Sequence, residues 1–164
     1  MPILTKENSD YIYETKFWVV LLAWKQIFPR LVVFAKPNIS GIFYENLSQM
    51  PIEVIIDFQN NVIKKIEPAF LQLFAGDVKE DFVANWFCMM NDAYKEYPPK
   101  PQVHWHFKAR IRNPIKIAQF QFTDPAFGHF PPRKEEKQLP EIDGTPEERL
   151  ELIKIIRSEI QKIN

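Results

Sequence analysis

The chain has 164 residues and a mass of 19.5 kDa, the size of one ordinary domain. Twenty-one basic residues balance twenty-one acidic ones, so the bulk electrostatic footprint of a nucleic-acid-binding protein is missing and no nucleic-acid partner is expected. The single cysteine, Cys88, excludes an internal disulfide framework and a cysteine zinc cluster; it fits a reducing compartment, and a cytoplasmic location is expected.

The longest apolar run, Phe17 to Trp24, has eight residues. A membrane span needs about 20, so no membrane partner is expected. That run is β-branched and aromatic and reads as a strand; Leu31–Phe34 reads as a second, joined to it in a hairpin through Phe28-Pro29-Arg30. From Pro51 to Phe74, apolar residues at Ile52, Ile55, Ile56, Ile63, Ile66, Phe70, Leu73 and Phe74 mark the buried stripe of a long helix, with a kink expected at Pro68 and a stop at Gly76. Phe82 to Met90 is apolar on both faces, the pattern of a central strand. Residues 91 to 101 are rich in turn formers and read as a loop.

Gln102 to Arg112 alternates strictly, and Ile115 to Phe122 reads as one further strand after Asn113-Pro114. Residues 124 to 143 carry many prolines and charges and read as an extension over the surface. Thr145-Pro146-Glu147-Glu148 opens a helix that carries Leu152, Ile156, Ile160 and Ile163 on one side. About five strands and two main helices, without βα alternation, predict an α+β fold: an antiparallel sheet with one long helix packed on it and a C-terminal helix.

Only four glycines are present and they are far apart, so a Walker loop and a GxGxxG turn are both absent. Any phosphate must be held by side chains or scattered amides. The alternation at 102 to 112 supplies such side chains. One face is Val103, Trp105, Phe107, Ala109 and Ile111, a core face; the other is Gln102, His104, His106, Lys108, Arg110 and Arg112. Two imidazoles about 7 Å apart on a cationic face suit a phosphorylated substrate, since one can attack phosphorus while the other donates to its oxygens. Polar alternation is equally the norm for the solvated face of a half-exposed sheet, and spacing alone does not separate the two. HxH is also a metal-ligand spacing, but no third His or Cys and no carboxylate pair accompanies it, so neither a metal nor another cofactor is expected. Arg110 and Arg112 either extend phosphate binding or solvate the strand end. Cys88 reads as a core residue and Trp24 as the tryptophan placed to touch a ligand.

The run Pro101-Gln-Val-His-Trp-His-Phe-Lys-Ala-Arg110 resembles the signature of the histidine triad superfamily, in the form common in its dinucleoside polyphosphate hydrolase branch. The apolar strand ending Cys-Met-Met-Asn91 and the segment Thr123-Asp-Pro-Ala-Phe-Gly-His129 agree with that resemblance. It covers roughly residues 12 to 130, giving a histidine-triad-like domain over 1–130, with 131–164 as an extension and C-terminal helix of the same domain. The resemblance implies that His104 attacks the α-phosphate of a nucleotide or dinucleoside polyphosphate to form a nucleotidyl-histidine. It implies that His106 contacts the phosphate or bridging oxygen and that Asn91 binds a phosphate oxygen. Lys36 matches a common lysine, and Lys108 and His129 are further candidate phosphate contacts. A homodimer is implied as well. The pattern departs from the family at Gln102, which replaces the first histidine, at Pro99, at Pro37-Asn38, and at Trp24-Lys25-Gln26, where an acid for the ribose is usual. Two functions follow: a nucleotide hydrolase or nucleotidyl transferase, or a nucleotide- or phosphate-binding protein without efficient catalysis.

Overall fold

Leu31, Val33 and Ala35 alternate with Arg30, Val32 and Phe34, and the first three are fully buried while the second three are half-buried. That single strand shows the plan of the molecule: one sheet face against a core, the other turned outward. The computed structural model describes residues 5–26, 28–75, 78–95, 97–129 and 143–163. Five strands form the main sheet: β1 (Tyr11–Glu14), β2 (Trp18–Leu22), β3 (Arg30–Ala35), β4 (Phe82–Phe87) and β5 (His104–Ile111). Their order is β1-β2-β3-β5-β4 and every neighbouring pair is antiparallel. The α+β, five-stranded antiparallel architecture read from the sequence is the one observed, with a long helix and a C-terminal helix.

The long helix has three parts, α1 (Ile52–Asp57), a π-turn segment (Phe58–Ile63) and α2 (Lys64–Phe74). The irregularity expected at Pro68 falls earlier. α2 runs on through Pro68, and the i→i−5 turns lie ahead of it, where the Lys64 amide reaches the Gln59 carbonyl. A polar pin holds this segment to the β1–β2 turn. The Asp57 carboxylate accepts from the Thr15 hydroxyl at 2.5 Å, the Phe17 amide at 3.2 Å and the Asn61 side chain at 2.6 Å, while the Tyr13 hydroxyl donates to the Asn61 carbonyl. Burial, with Asp57 close by, pushes the Tyr13 hydroxyl well above its ordinary pKa.

The core lies between the sheet and the helices. Phe107 meets Phe70 edge-on at 4.8 Å, and Phe58 packs on Trp18 and Trp105 at 4.7 and 5.2 Å. The last helix, α3 (Pro146–Gln161), opens on the capping box expected from Thr145 and Glu148 and buries Leu152, Ile153, Ile156 and Ile160. It is tied to the β1 edge by Arg157, which donates to the Tyr11 and Ile12 carbonyls, and by Arg149, whose guanidinium grips Asp10 and the Ala23 and Trp24 carbonyls.

Three local readings are corrected. Ile115 to Phe122 is a small separate hairpin, β6 (Ile115–Ile117) and β7 (Phe120–Phe122), turned at Ala118 with φ of 52°. The fifth strand of the main sheet is instead Tyr11–Glu14, whose Tyr-Ile-Tyr alternation is too short to stand out in a polar N-terminus. Finally, β4 is an edge strand and not a central one: among the described residues it pairs only with β5, and its residues are half-buried except Val83, which is 45% exposed. Gly76 and the proline- and charge-rich stretch from 130 to 142 lie outside the described residues. Among the described residues no helix is long and apolar enough to cross a membrane.

Candidate active site on the outer face of β5

β5 carries the paired histidines between β3 and β4, with its alternate residues Phe107, Ala109 and Ile111 anchored in the core. Cross-strand partners share a sheet face. The register therefore lays out successive rows on the outer face: Phe34 with His104, Val32 with His106 and Phe87, Arg30 with Lys108 and Asn85. The His104 ring stacks on Phe34 with centroids 5.1 Å apart, and the His106 ring meets it edge-on at 5.0 Å. Phe34 was not singled out in the sequence; its signal is the alternation of β3, which puts it on the same face as the histidines.

His104 Nδ1 lies 2.8 Å from the backbone carbonyl of Gln102. A carbonyl only accepts, so Nδ1 carries a proton, and Nε2 is the nitrogen that holds the lone pair whenever the ring is neutral. The ring is thus held by stacking on one side and by a hydrogen bond at one nitrogen, with the other nitrogen left as base or nucleophile. Gln102 itself is 5% exposed, and its carboxamide donates to the Ala35 carbonyl at 3.1 Å. Its side chain locks the start of β5 to the end of β3, and its main chain sets the imidazole.

The remaining candidates are spread out. Lys108 shares the histidine face, its ammonium 5.3 Å from the Phe28 ring centroid and 5.4 Å from that of Phe87. Lys36 lies past the end of β3, held by Glu14 at 2.8 Å and the Thr15 carbonyl at 2.7 Å. Trp24 is 70% exposed at the opposite end of the sheet ladder from His104, beside a cavity of about 220 Å³ shared with Asp10, Gly144 and Arg149. His129 is exposed on the segment after β7, near Arg110 and away from His104. Asn91 begins the turn Asn91–Tyr94 after β4, and its side chain lies outside the described part of the chain.

Arg110 neither solvates the strand end nor faces open phosphate space. It is 5% exposed and clasps Asp124 through two nitrogens, at 2.5 and 2.9 Å, while donating to the Ala126 and His129 carbonyls. It straps residues 124 to 129 across the sheet. Arg112 is exposed and paired with Asp81. Cys88 is half-buried against the core; burial pushes its thiol pKa up, opposed by a hydrogen bond with the His104 backbone. Among the described residues no group of three or more His, Cys, Asp or Glu is gathered as a metal site would need.

No protein-family model matches the sequence, and no curated protein matches it. Solved structures do match its fold. A histidine triad protein from Marinobacter aquaeolei VT8 superposes with a TM-score of 0.60 at 18% identity, over 95% of this chain and 93% of that one. A histidine triad protein from Bradyrhizobium japonicum gives 0.59 at 14% identity, over 92% and 91%. A uridylyltransferase gives 0.60 at 16% identity over 99% of this chain, which spans 44% of that larger one. The chain has the fold of histidine triad proteins.

Proposed function

We propose that the protein is a nucleotide hydrolase or nucleotidyl transferase that works through a covalent nucleotidyl-histidine at His104. The observation that carries this reading is the hydrogen bond from His104 Nδ1 to the Gln102 carbonyl, which makes Nε2 the nitrogen able to offer a lone pair on the outer sheet face. The fold shared with histidine triad proteins and a uridylyltransferase supports it.

In the proposed reaction the Nε2 lone pair attacks the α-phosphorus and forms a P–N bond. The bond from phosphorus to the bridging oxygen breaks, and the leaving group takes its electron pair. His106, ring to ring 5.0 Å away, donates a hydrogen bond or proton to that oxygen. Water, or another hydroxyl, then attacks phosphorus; the P–N electrons return to Nε2, and the attacking oxygen gives its proton to the His106 imidazole that gave one up to the leaving group, or to solvent. Nδ1 keeps its proton throughout. A nucleoside phosphoramidate or dinucleoside polyphosphate is the substrate that tests this, and the readout is nucleoside monophosphate release by wild type and its loss in His104→Ala.

We further propose that two copies pair through β4 and α1. β4 is the edge of the sheet among the described residues and exposes Val83, and separately Ile52, Ile55 and Ile56 on α1 are 70%, 37% and 51% exposed, apolar side chains that pairing would cover. Light scattering at micromolar concentration should give twice the chain mass for the wild type and the single mass for Val83→Lys. A wild-type monomer overturns this.

A further inference from the structure

We propose that the ring face of Phe34 stabilises the positive charge that the His104 imidazole gains when Nε2 forms a bond, so that Phe34 is a positioning residue for the nucleophile. The use of this charge in nucleotidyl transfer rests on the reading of His104 as the attacking residue.

Phe34 on β3 is the register partner of His104 on β5. The two rings lie stacked, with centroids 5.1 Å apart and planes 26° from parallel. Phe34 is fixed from the β2 side: Val19, its register partner there, is fully buried, and Tyr11 and Leu21 complete a small apolar cluster against which the ring packs. Both Phe34 and His104 are half-buried. Packing alone would be met by an aliphatic side chain, such as Val32 two residues earlier on the same face. A phenyl ring adds a negative face, which attracts a cation within about 6 Å and does so more strongly where water is displaced.

The charge follows from the hydrogen bond at Nδ1. That nitrogen keeps its proton on the Gln102 carbonyl, 2.8 Å away. The Nε2 lone pair forms the P–N bond, and the leaving oxygen departs with the electron pair of the broken P–O bond. No proton has left the ring, so the imidazole becomes a cation. The Gln102 carbonyl meets this charge in the ring plane and Phe34 meets it on the ring face. The neutral ring before attack draws less from either contact, so both favour the charged state and speed bond formation at Nε2.

Replacement of Phe34 by mono-, di- and trifluorophenylalanine drains the ring face of negative charge while keeping its shape, which separates this role from packing. The rate of nucleotidyl adduct formation on His104 from a phosphoramidate should fall step by step across the series, by about three- to tenfold in all, the worth of one cation–π contact. Phe34→Leu should fall at least as far, and Phe34→Tyr should stay near wild type. Carbethoxylation of His104 by diethyl pyrocarbonate, followed by mass spectrometry, should show the same order without any nucleotide. There Nε2 bonds to a carbonyl carbon and monoethyl carbonate leaves with the electron pair, which gives the same cationic ring until Nδ1 releases its proton. Rates that ignore fluorination in both reactions, or a Phe34→Leu protein as fast as wild type in both, overturn the proposal and leave any adduct on His104 intact as evidence for the catalytic reading. Carbethoxylation that follows the series in a protein that forms no nucleotidyl adduct rejects the catalytic reading of His104 and leaves the Phe34 contact standing.

Discussion

The imidazole of His104 is oriented by the main chain of Gln102, not by its side chain: Nδ1 and the carbonyl oxygen are 2.8 Å apart, while the Gln102 carboxamide turns to the Ala35 carbonyl. Gln102 therefore has a structural job of its own. Any residue at 102 offers the same carbonyl, provided that the start of β5 stays in place.

Gln102→His should accordingly change turnover by no more than a few-fold, because the hydrogen bond at Nδ1 survives and an imidazole can still donate toward Ala35. Gln102→Ala removes a buried donor and should destabilise the fold by about 1–2 kcal/mol. It should also lower kcat more than it raises KM, since His104 is then less well held. Urea melts and steady-state kinetics on the two variants check this. Equal stability of Gln102→Ala and wild type would contradict it.

The Arg110–Asp124 pair is buried on both sides, with side-chain exposures of 6% and 0%. Removing Asp124 takes the paired carboxylate away from a buried guanidinium, so Asp124→Ala should lose about 3–5 kcal/mol. Replacing both with apolar residues of similar size should recover much of that loss. A double variant as unstable as Asp124→Ala would show that the strap, and not the charge, is what matters.

Alkaline pH provides a test of the pin beneath the π-turn segment. The folded state holds the Tyr13 hydroxyl protonated past its ordinary pKa of 10.0. Its contribution is therefore fully present below that value and is lost as pH rises above it, because the native state there binds more protons than the unfolded one. Urea melts between about pH 8 and 11 should show stability falling at the upper end, and Tyr13→Phe should flatten that part of the fall. The half-buried Cys88 thiol acts in the same sense from somewhat lower pH, so Cys88→Ala is the control.

Much of this was legible in the sequence where a period was long and strict. The alternation from Val103 to Ile111 placed His104, His106 and Lys108 on one face, and the Thr145–Glu148 spacing placed the last helix. Short elements were not legible: four residues of β1 cannot be told from a polar tail, and a hairpin of three-residue strands reads as one strand. β4 misled because apolarity on both faces suggests a strand between two neighbours, whereas strand order is set by long-range pairing that the local pattern does not contain. The stacking of Phe34 on His104 depends on strand order and register, which no local pattern contains. The post-motif segment was recognised, but its attachment through Arg110 needs a contact between residues 14 apart in sequence.

Intact-protein mass spectrometry after brief incubation with a nucleoside phosphoramidate tests the central claim most directly. The wild type should gain the mass of one nucleotidyl group, mapped by peptide sequencing to His104 and released by added water or hydroxylamine. His104→Ala should show no such gain, and His106→Ala should show it at a reduced rate. An adduct on another residue, or monophosphate release by His104→Ala at the wild-type rate, would place the chemistry elsewhere in the molecule.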